Sequence, residues 1–243
     1  MSWLTRLIRI AALSASLAVS GCASLPAGHV PDSRDPWERY NRAMFEFNDN
    51  VDRAVIKPVA EAYRDYVPEL FQVTLRNFFG NLRDVAVTVH QLLQGKPGEA
   101  GNSAARVLIN TTIGFLGLGD PASEMGYAKT SEDFGQTFGR WGVEPGPYFV
   151  IPILGPSTVR DTFGTVLDFT YNPTDSVITD TSDRNVARGV VGIDRRRQLL
   201  DAEGTIDALS FDKYSSVRDA WLAHRRSDVY DGDPPPIPFK YEE

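Results

Sequence analysis

Between Arg106 and Gly117 the chain carries a helix-length run that is apolar around most of its circumference. Arg106, Asn110, Gly114 and Gly117 fall in one narrow sector, while Val107, Leu108, Ile109, Ile113, Phe115 and Leu116 occupy most of the rest. A helix on the surface of a water-soluble domain shows a broader polar face than this. Apolar material must therefore surround most of it. Two placements satisfy that demand: a helix bathed in lipid or protein whose polar stripe faces a lumen or another backbone, or the central helix of an ordinary core. The sequence leaves both open. With 243 residues, 42% of them hydrophobic, the chain can bury a core as one domain.

The remaining periodicities are helical too. Asp35-Pro36 reads as an N-cap followed by proline at the first helical position, predicting a helix to about Val55 with Trp37, Tyr40, Met44, Phe47, Val51 and Val55 on one face. Pro58 predicts a kink or break, followed by a helix from Val59 to Tyr66. Pro68 opens another to about Leu93, with Gly80 as its weak point. Further helices are expected over Glu99 to Gly117, over Ser131 to Trp141 with Ser131 as its start, from the capping box at Thr158 to about Phe169, from Asp183 to Asp201, and from Asp212 to Arg226. The Pro/Gly-punctuated stretch from Gly146 to Pro156 should be extended. Strand alternation is otherwise scarce and no repeat is visible, so the expected fold class is all-α in a single domain.

The first residues resemble an export signal. Arg6 and Arg9 precede a short apolar run from Ile10 to Val19, which is below the roughly 20 residues that a bilayer span requires. Val19-Ser20-Gly21-Cys22 resembles the bacterial lipobox, in which the cysteine is alkylated by diacylglycerol and becomes the new N-terminus. Cys22 is the only cysteine in the chain, and a packing role explains its position after a small-residue cleavage site poorly. The expected organisation is a signal peptide over 1–21, an acylated tether over 22–35, a helical domain over 36–228 and a flexible tail over 229–243. In lipoproteins an Asp directly after the cysteine directs retention at the inner membrane. Ala23 and Ser24 stand here, and that pattern implies outer-membrane delivery, lipid-anchored on the periplasmic side. Removing 1–21 leaves 23 basic and 32 acidic side chains, a charge of −9, which argues against a nucleic-acid partner.

Two asparagines interrupt the apolar face of the first helix. Asn41 and Asn48 either satisfy the backbone of a neighbouring loop or form a polar seam in a greasy assembly, because a buried amide without partners costs about 1–3 kcal/mol. Arg184, Arg188, Arg195, Arg196 and Arg197 form a basic cluster that suits phosphate headgroups, although Arg197 and Asp201 are also spaced as a solvated ion pair. Catalytic arrangements are poor. His29, His90 and His224 have no nucleophile or metal-ligand spacing around them, the segment around Ser103 lacks the final glycine of a nucleophile elbow, and Gly95-Lys96-Pro97 lacks the frame of a phosphate-binding loop. Adjacent Glu132 and Asp133 would point to different sides of a helix. No catalytic residue, metal site or cofactor is expected beyond acyl chains on Cys22.

Several stretches together resemble the MlaA/VacJ lipoproteins: Asp35 to Asn48 (DPWERYNRAMFEFN), Tyr63 to Pro68 (YRDYVP), Asn77 to Leu82 (NFFGNL), Arg106 to Leu118 (RVLINTTIGFLGL), Glu132 to Gly139 (EDFGQTFG), Gly146 to Asp161 (GPYFVIPILGPSTVRD) and Arg197 to Asp201 (RQLLD). Glu144-Pro145 departs from a more glycine-rich pattern in that family. The resemblance implies a ring of helices embedded in the periplasm-facing leaflet of the outer membrane around a central amphipathic channel. It also implies association with a trimeric porin and delivery of phospholipid to a soluble periplasmic lipid carrier, which feeds an ATP-driven inner-membrane complex. On that reading Asn41, Asn48, Arg106, Asn110 and Gly114 are the candidate channel-lining residues, and Arg184 and Arg188 the candidate headgroup contacts. The rival reading is a structural porin-associated envelope lipoprotein that transfers nothing; a lipid hydrolase would need the constellations that are missing.

Overall fold

A computed structural model describes residues 31–209 and 212–236, without the side chains of 201–209. Cys22, the lipobox, the Arg197–Asp201 pairing and the end of the tail lie outside the described residues. In chain order the elements are α1 (Glu38–Val51), a π-helical turn (Asp52–Ile56), α2 (Lys57–Tyr66), α3 (Glu69–Leu93), α4 (Pro97–Thr112), α5 (Pro121–Glu124), α6 (Phe134–Arg140), β1 (Tyr148–Ile151), β2 (Gly155–Thr158), α7 (Val159–Thr170), α8 (Thr174–Val177), α9 (Thr181–Leu209) and α10 (Lys213–Val229). The fold is mainly helical, as the periodicity predicts, and the stretch from Gly146 closes into one antiparallel hairpin with Tyr148 opposite Thr158 and Ile151 opposite Gly155.

Four boundaries differ from the sequence reading, each for a local reason. Asp35 does not cap α1: its carboxylate is buried and accepts from Asn41 Nδ2 at 2.7 Å, from the Tyr214 hydroxyl and from Arg218. Pro58 causes no break. It sits in the first turn of α2, where its missing N–H is harmless, and the π-helical turn before it takes up the misfit. The cap of α6 is Asp133, which accepts from the Gln136 amide at 2.8 Å, and not Ser131. Finally, α4 stops at Thr112 because Phe115 and Leu116 (φ 54° and 61°) and Gly117 (φ 84°) turn left-handed, so the chain folds back with Gly117 N–H donating to the Asn110 carbonyl.

α3 packs along α4, α6 against α7, and α9 against α2 and α3. A small aromatic core joins Met44, Tyr148, Val150 and Tyr214, bordered by Tyr40, Phe45, Trp221 and Leu222, with Tyr40 stacked on Phe149 at 5.3 Å. Elsewhere the usual distribution is inverted. Among the described residues ten hydrophobic side chains are buried against 22 polar or charged ones, and thirty large hydrophobics are exposed. α3 buries Gln72, Asn81, Asp84, His90 and Gln91 and exposes Leu70, Phe71, Leu75, Val85, Val89, Leu92 and Leu93. α4 repeats the pattern with Ser103, Arg106 and Asn110 inside and Leu108 outside. α7 buries Arg160 and Asp161 and exposes Phe163, Val166 and Phe169. Water drives chains toward the opposite arrangement. A surface of this kind calls for apolar surroundings.

Candidate functional site

The inward polar groups are held in networks. Arg106, 1% exposed, donates to Asp84 at 3.2 Å, to both oxygens of Asp120 at 2.9 and 3.0 Å, to Ser123 Oγ and to the Tyr127 carbonyl. Asn110 donates to Asp120 at 2.8 Å and accepts from the Ala122 amide at 3.0 Å. Burial pushes the Asp120 carboxyl up, but the bonds from Ser123, Asn110 and Arg106 outweigh it and hold the group at about 2. Asp84 goes the other way: burial dominates over Lys129 and Arg106 and raises it. At Gly114 a Cβ would lie within 3 Å of the Asn110 and Gly119 carbonyl oxygens and of Asn110 Cα, so only glycine lets these turns touch. The stripe on α4 thus braces the backbone of the loop that follows it.

Asn41 and Asn48 brace the hairpin in the same manner. Asn41, fully buried, donates to Tyr148 O at 3.0 Å and accepts from Val150 N at 2.9 Å; Asn48 donates to Ile151 O at 3.0 Å and accepts from Ile153 N at 2.6 Å. Of the two roles open to them, the geometry gives these amides the neighbouring backbone.

Open space of mixed character lies elsewhere, in a cavity of about 430 Å³ bordered by α3, α6, α7, α8 and α9. α3 supplies Phe79, Arg83, Ala86 and His90, spaced so that all four share one helical face. Glu132, Asp133 and Phe134 contribute from the start of α6, Thr165, Asp168 and Phe169 from α7, and Ala187, Arg188, Val191, Gly192 and Arg195 from α9. Phenyl rings and aliphatic groups thus alternate with charged ones around the same space. That mixture suits an amphiphile.

His90 places Nδ1 3.0 Å from Thr137 Oγ1, stands edge-on to Phe134, and turns Nε2 toward Asp168 Oδ1 at 3.7 Å. Burial lowers the His90 pKa, with the charge of Asp133 opposing, so the ring is neutral at pH 7. Asp168 accepts from the Phe134 amide at 3.2 Å, and burial, followed by the charge of Asp133, pushes its carboxyl up to about 6. Asp133 itself is pushed up by burial but held near 2 by Arg225, which also reaches Asp161 at 3.0 Å.

The sequence-predicted basic cluster separates into different environments. Arg184 and Arg188 converge on Asp175, at 3.6 and 2.9 Å, and Arg188 also lies over the Phe169 ring. Arg196 pairs with Asp52 at 2.7 Å. Arg188 and Arg195 face the cavity. Sequence reasoning misses Arg83 and Asp168, although the Phe79, Arg83, Ala86, His90 spacing carries the signal. One group of acidic residues, Glu99, Glu132 and Asp231, has a geometry that a cation would fit, but the Lys96 ammonium pairs with both Glu132 and Asp231 there. No helix among the described residues is long and apolar enough to cross a membrane.

The family model described as MlaA lipoprotein matches residues 33–228. A relative from Escherichia coli strain K12, named intermembrane phospholipid transport system lipoprotein MlaA, is 40% identical over 217 residues, covering 87% of this chain and 84% of that one. A protein of the same name from Haemophilus influenzae is 32% identical over 227 residues, covering 92% and 90%. A solved structure reported under the words "Structural basis for maintenance of bacterial outer membrane lipid asymmetry" superposes with a TM-score of 0.72 at 35% identity, over 80% of this chain and 98% of the other.

Proposed function

The chain belongs to the MlaA lipoprotein family, and from that premise we infer that it is the outer-membrane lipoprotein of an intermembrane phospholipid transport system, removing mislocalised phospholipid and so maintaining lipid asymmetry. The observation that carries this reading is the inverted distribution of side chains around an amphipathic cavity. A phospholipid leaving the outer leaflet must bring its headgroup through a hydrocarbon layer about 30 Å thick. A cavity with charged walls shelters the headgroup, while Phe79, Phe134, Phe169 and the greasy exterior keep the acyl chains in apolar company. Bonds in the lipid stay intact; the protein supplies a route, and direction comes from partners.

In this proposal Cys22 carries the acyl chains that tether the protein on the periplasmic side, since each buried methylene contributes about 0.8 kcal/mol. The helices lie in the periplasm-facing leaflet as a ring, and the cavity is part of its central channel. Arg106, Asn110 and Gly114 hold the loop at one end of α4, and Asn41 and Asn48 hold the hairpin whose Leu154 reaches the cavity, so these residues shape the channel through backbone. A trimeric porin seats the ring, and a soluble periplasmic lipid carrier receives the lipid.

The test is transfer. Acylated protein reconstituted with its porin in vesicles carrying a fluorescent phospholipid should release that lipid to added carrier. Porin binding with no transfer would leave a scaffold and end the transport reading. Release of fatty acid or lysolipid would reveal a hydrolase instead.

A further inference from the structure

The cavity walls contain two guanidinium groups that form no ion pair among the described residues, and the role inferred for them rests on the transport function proposed for the chain. Among the charged groups facing the space, Glu132 is held by Lys96 and Gln94, Asp133 by Arg225, and Arg188 by Asp175. Arg83, on α3, donates among the described residues only to the neutral Ser131 hydroxyl, at 2.8 Å. Arg195, on α9, has no hydrogen bond or ion pair among the described residues. Both side chains are exposed, and for Arg195 the desolvation imposed by the surrounding protein, followed by the charge of Arg83, pushes its pKa down. Asp168 acts on Arg83 only through space, since no hydrogen bond joins them and its nearest contacts are the Phe134 amide and His90.

Two like charges lining one open cavity repel, and an anion between them removes the repulsion. The guanidinium fork matches an anion with two equivalent oxygens, which a phosphodiester has. We propose that Arg83 and Arg195 together form a seat for the diester phosphate of the transported lipid, the part common to all glycerophospholipids. Arg184 and Arg188 are poorer candidates, because Asp175 already occupies them. Phe79 and Val191, one turn from these arginines on their own helices, offer the start of an apolar path for the acyl chains.

The experiment compares full-length acylated protein with its Arg83→Gln, Arg195→Gln and double variants in detergent. The probes are dihexanoyl-phosphatidylcholine, dihexanoyl-phosphatidylglycerol, dihexanoylglycerol and inorganic phosphate, with binding read by native mass spectrometry or calorimetry. Each single variant should weaken both phospholipids by about tenfold or more and leave the phosphate-free diglyceride unchanged. Because neither guanidinium has an ion-pair partner among the described residues, the variants should melt no lower than the wild type; a large drop would assign these arginines to the fold and overturn the seat. Wild-type protein that binds phospholipids no better than diglyceride, or variants that lose both equally, would overturn it too, with the transport reading intact. Inorganic phosphate binding that lipid does not displace would make this a free-anion site. Wild-type protein that binds no phospholipid at all would fail the transport reading itself.

Discussion

Phe115 and Leu116 offer a quantitative test of where this protein lives. They are adjacent, 74% and 66% exposed, and both left-handed, a backbone conformation that bulky residues adopt at a cost of about 1–2 kcal/mol each. A water-facing turn would relieve that strain with Asn or Gly. Phe115→Asn/Leu116→Asn should therefore fold at least as well as the wild type, since Asn tolerates the left-handed region. It should bind membranes much less. Full burial of one such side chain contributes about 1.5–3 kcal/mol. Scaled by the exposed fractions, the pair contributes about 3 kcal/mol to insertion, or roughly a hundredfold in partition coefficient at 1.4 kcal/mol per decade. The assay is vesicle sedimentation of a Cys22→Ala chain, in which acyl chains cannot mask the loss, with a thermal melt alongside. Equal partitioning of the two proteins would refute the assignment of this turn to lipid, and a lower melting temperature would refute the strain argument.

Three further outcomes are expected from the geometry. Asn41→Ala removes the partners of the buried Tyr148 carbonyl and Val150 amide and should lower stability by at least about 2 kcal/mol in a chemical melt, at about 1–3 kcal/mol per orphaned group. Gly164→Ala sets a Cβ 2.5 Å from the Gly135 amide nitrogen and should force α7 from α6 and destabilise, whereas Gly101→Ala, in open space within α4, should stabilise by up to about 1 kcal/mol. Asp168 is more easily protonated folded than unfolded, so its contribution is full below its ordinary pKa of 3.8 and is lost as pH rises through about 6. With solvent screening at a group one-third exposed, Asp168→Asn should gain about 1–2 kcal/mol at pH 8 relative to the wild type and less at pH 4, and an unchanged difference between those melts would show that another of the facing groups, His90, Asp133 or Arg83, sets the profile.

Helical content, the extended stretch and the capping box at Thr158 are legible in the sequence because each depends on residues a few positions apart. The misplaced boundaries come from long-range partners. Asp35 has the right identity for an N-cap, but Tyr214 and Arg218, far along the chain, take its carboxylate. The α4 pattern continues through Gly117 in sequence while three left-handed residues turn the chain back, and periodicity carries no sign of backbone chirality. The polar stripe of α4 is visible, yet whether it meets a lumen or a loop depends on where Asp120 and Ala122 return. Clustering along one helix likewise cannot distinguish the neutralised Arg188 from Arg195, because Asp175 lies on another element.

The polar interior and the apolar exterior answer the same physical demand. In lipid, helices gain little from burying leucine against leucine, since the surroundings are equally apolar. Cohesion then has to come from groups that lipid cannot satisfy, and these are the ones turned inward here: Arg106 between Asp84 and Asp120, Arg225 between Asp133 and Asp161, and Lys96 between Glu132 and Asp231. Each of these cations bridges two carboxylates from different parts of the chain. Such clamps resist pulling apart strongly, because separating one leaves an uncompensated charge at about 3–5 kcal/mol. They also leave the space between α3, α7 and α9 unfilled, which a tightly interdigitated hydrocarbon core would close. An interior held by paired charges can therefore keep an open space, and Arg83 and Arg195, which form no ion pair among the described residues, are the cations there that we propose meet a headgroup.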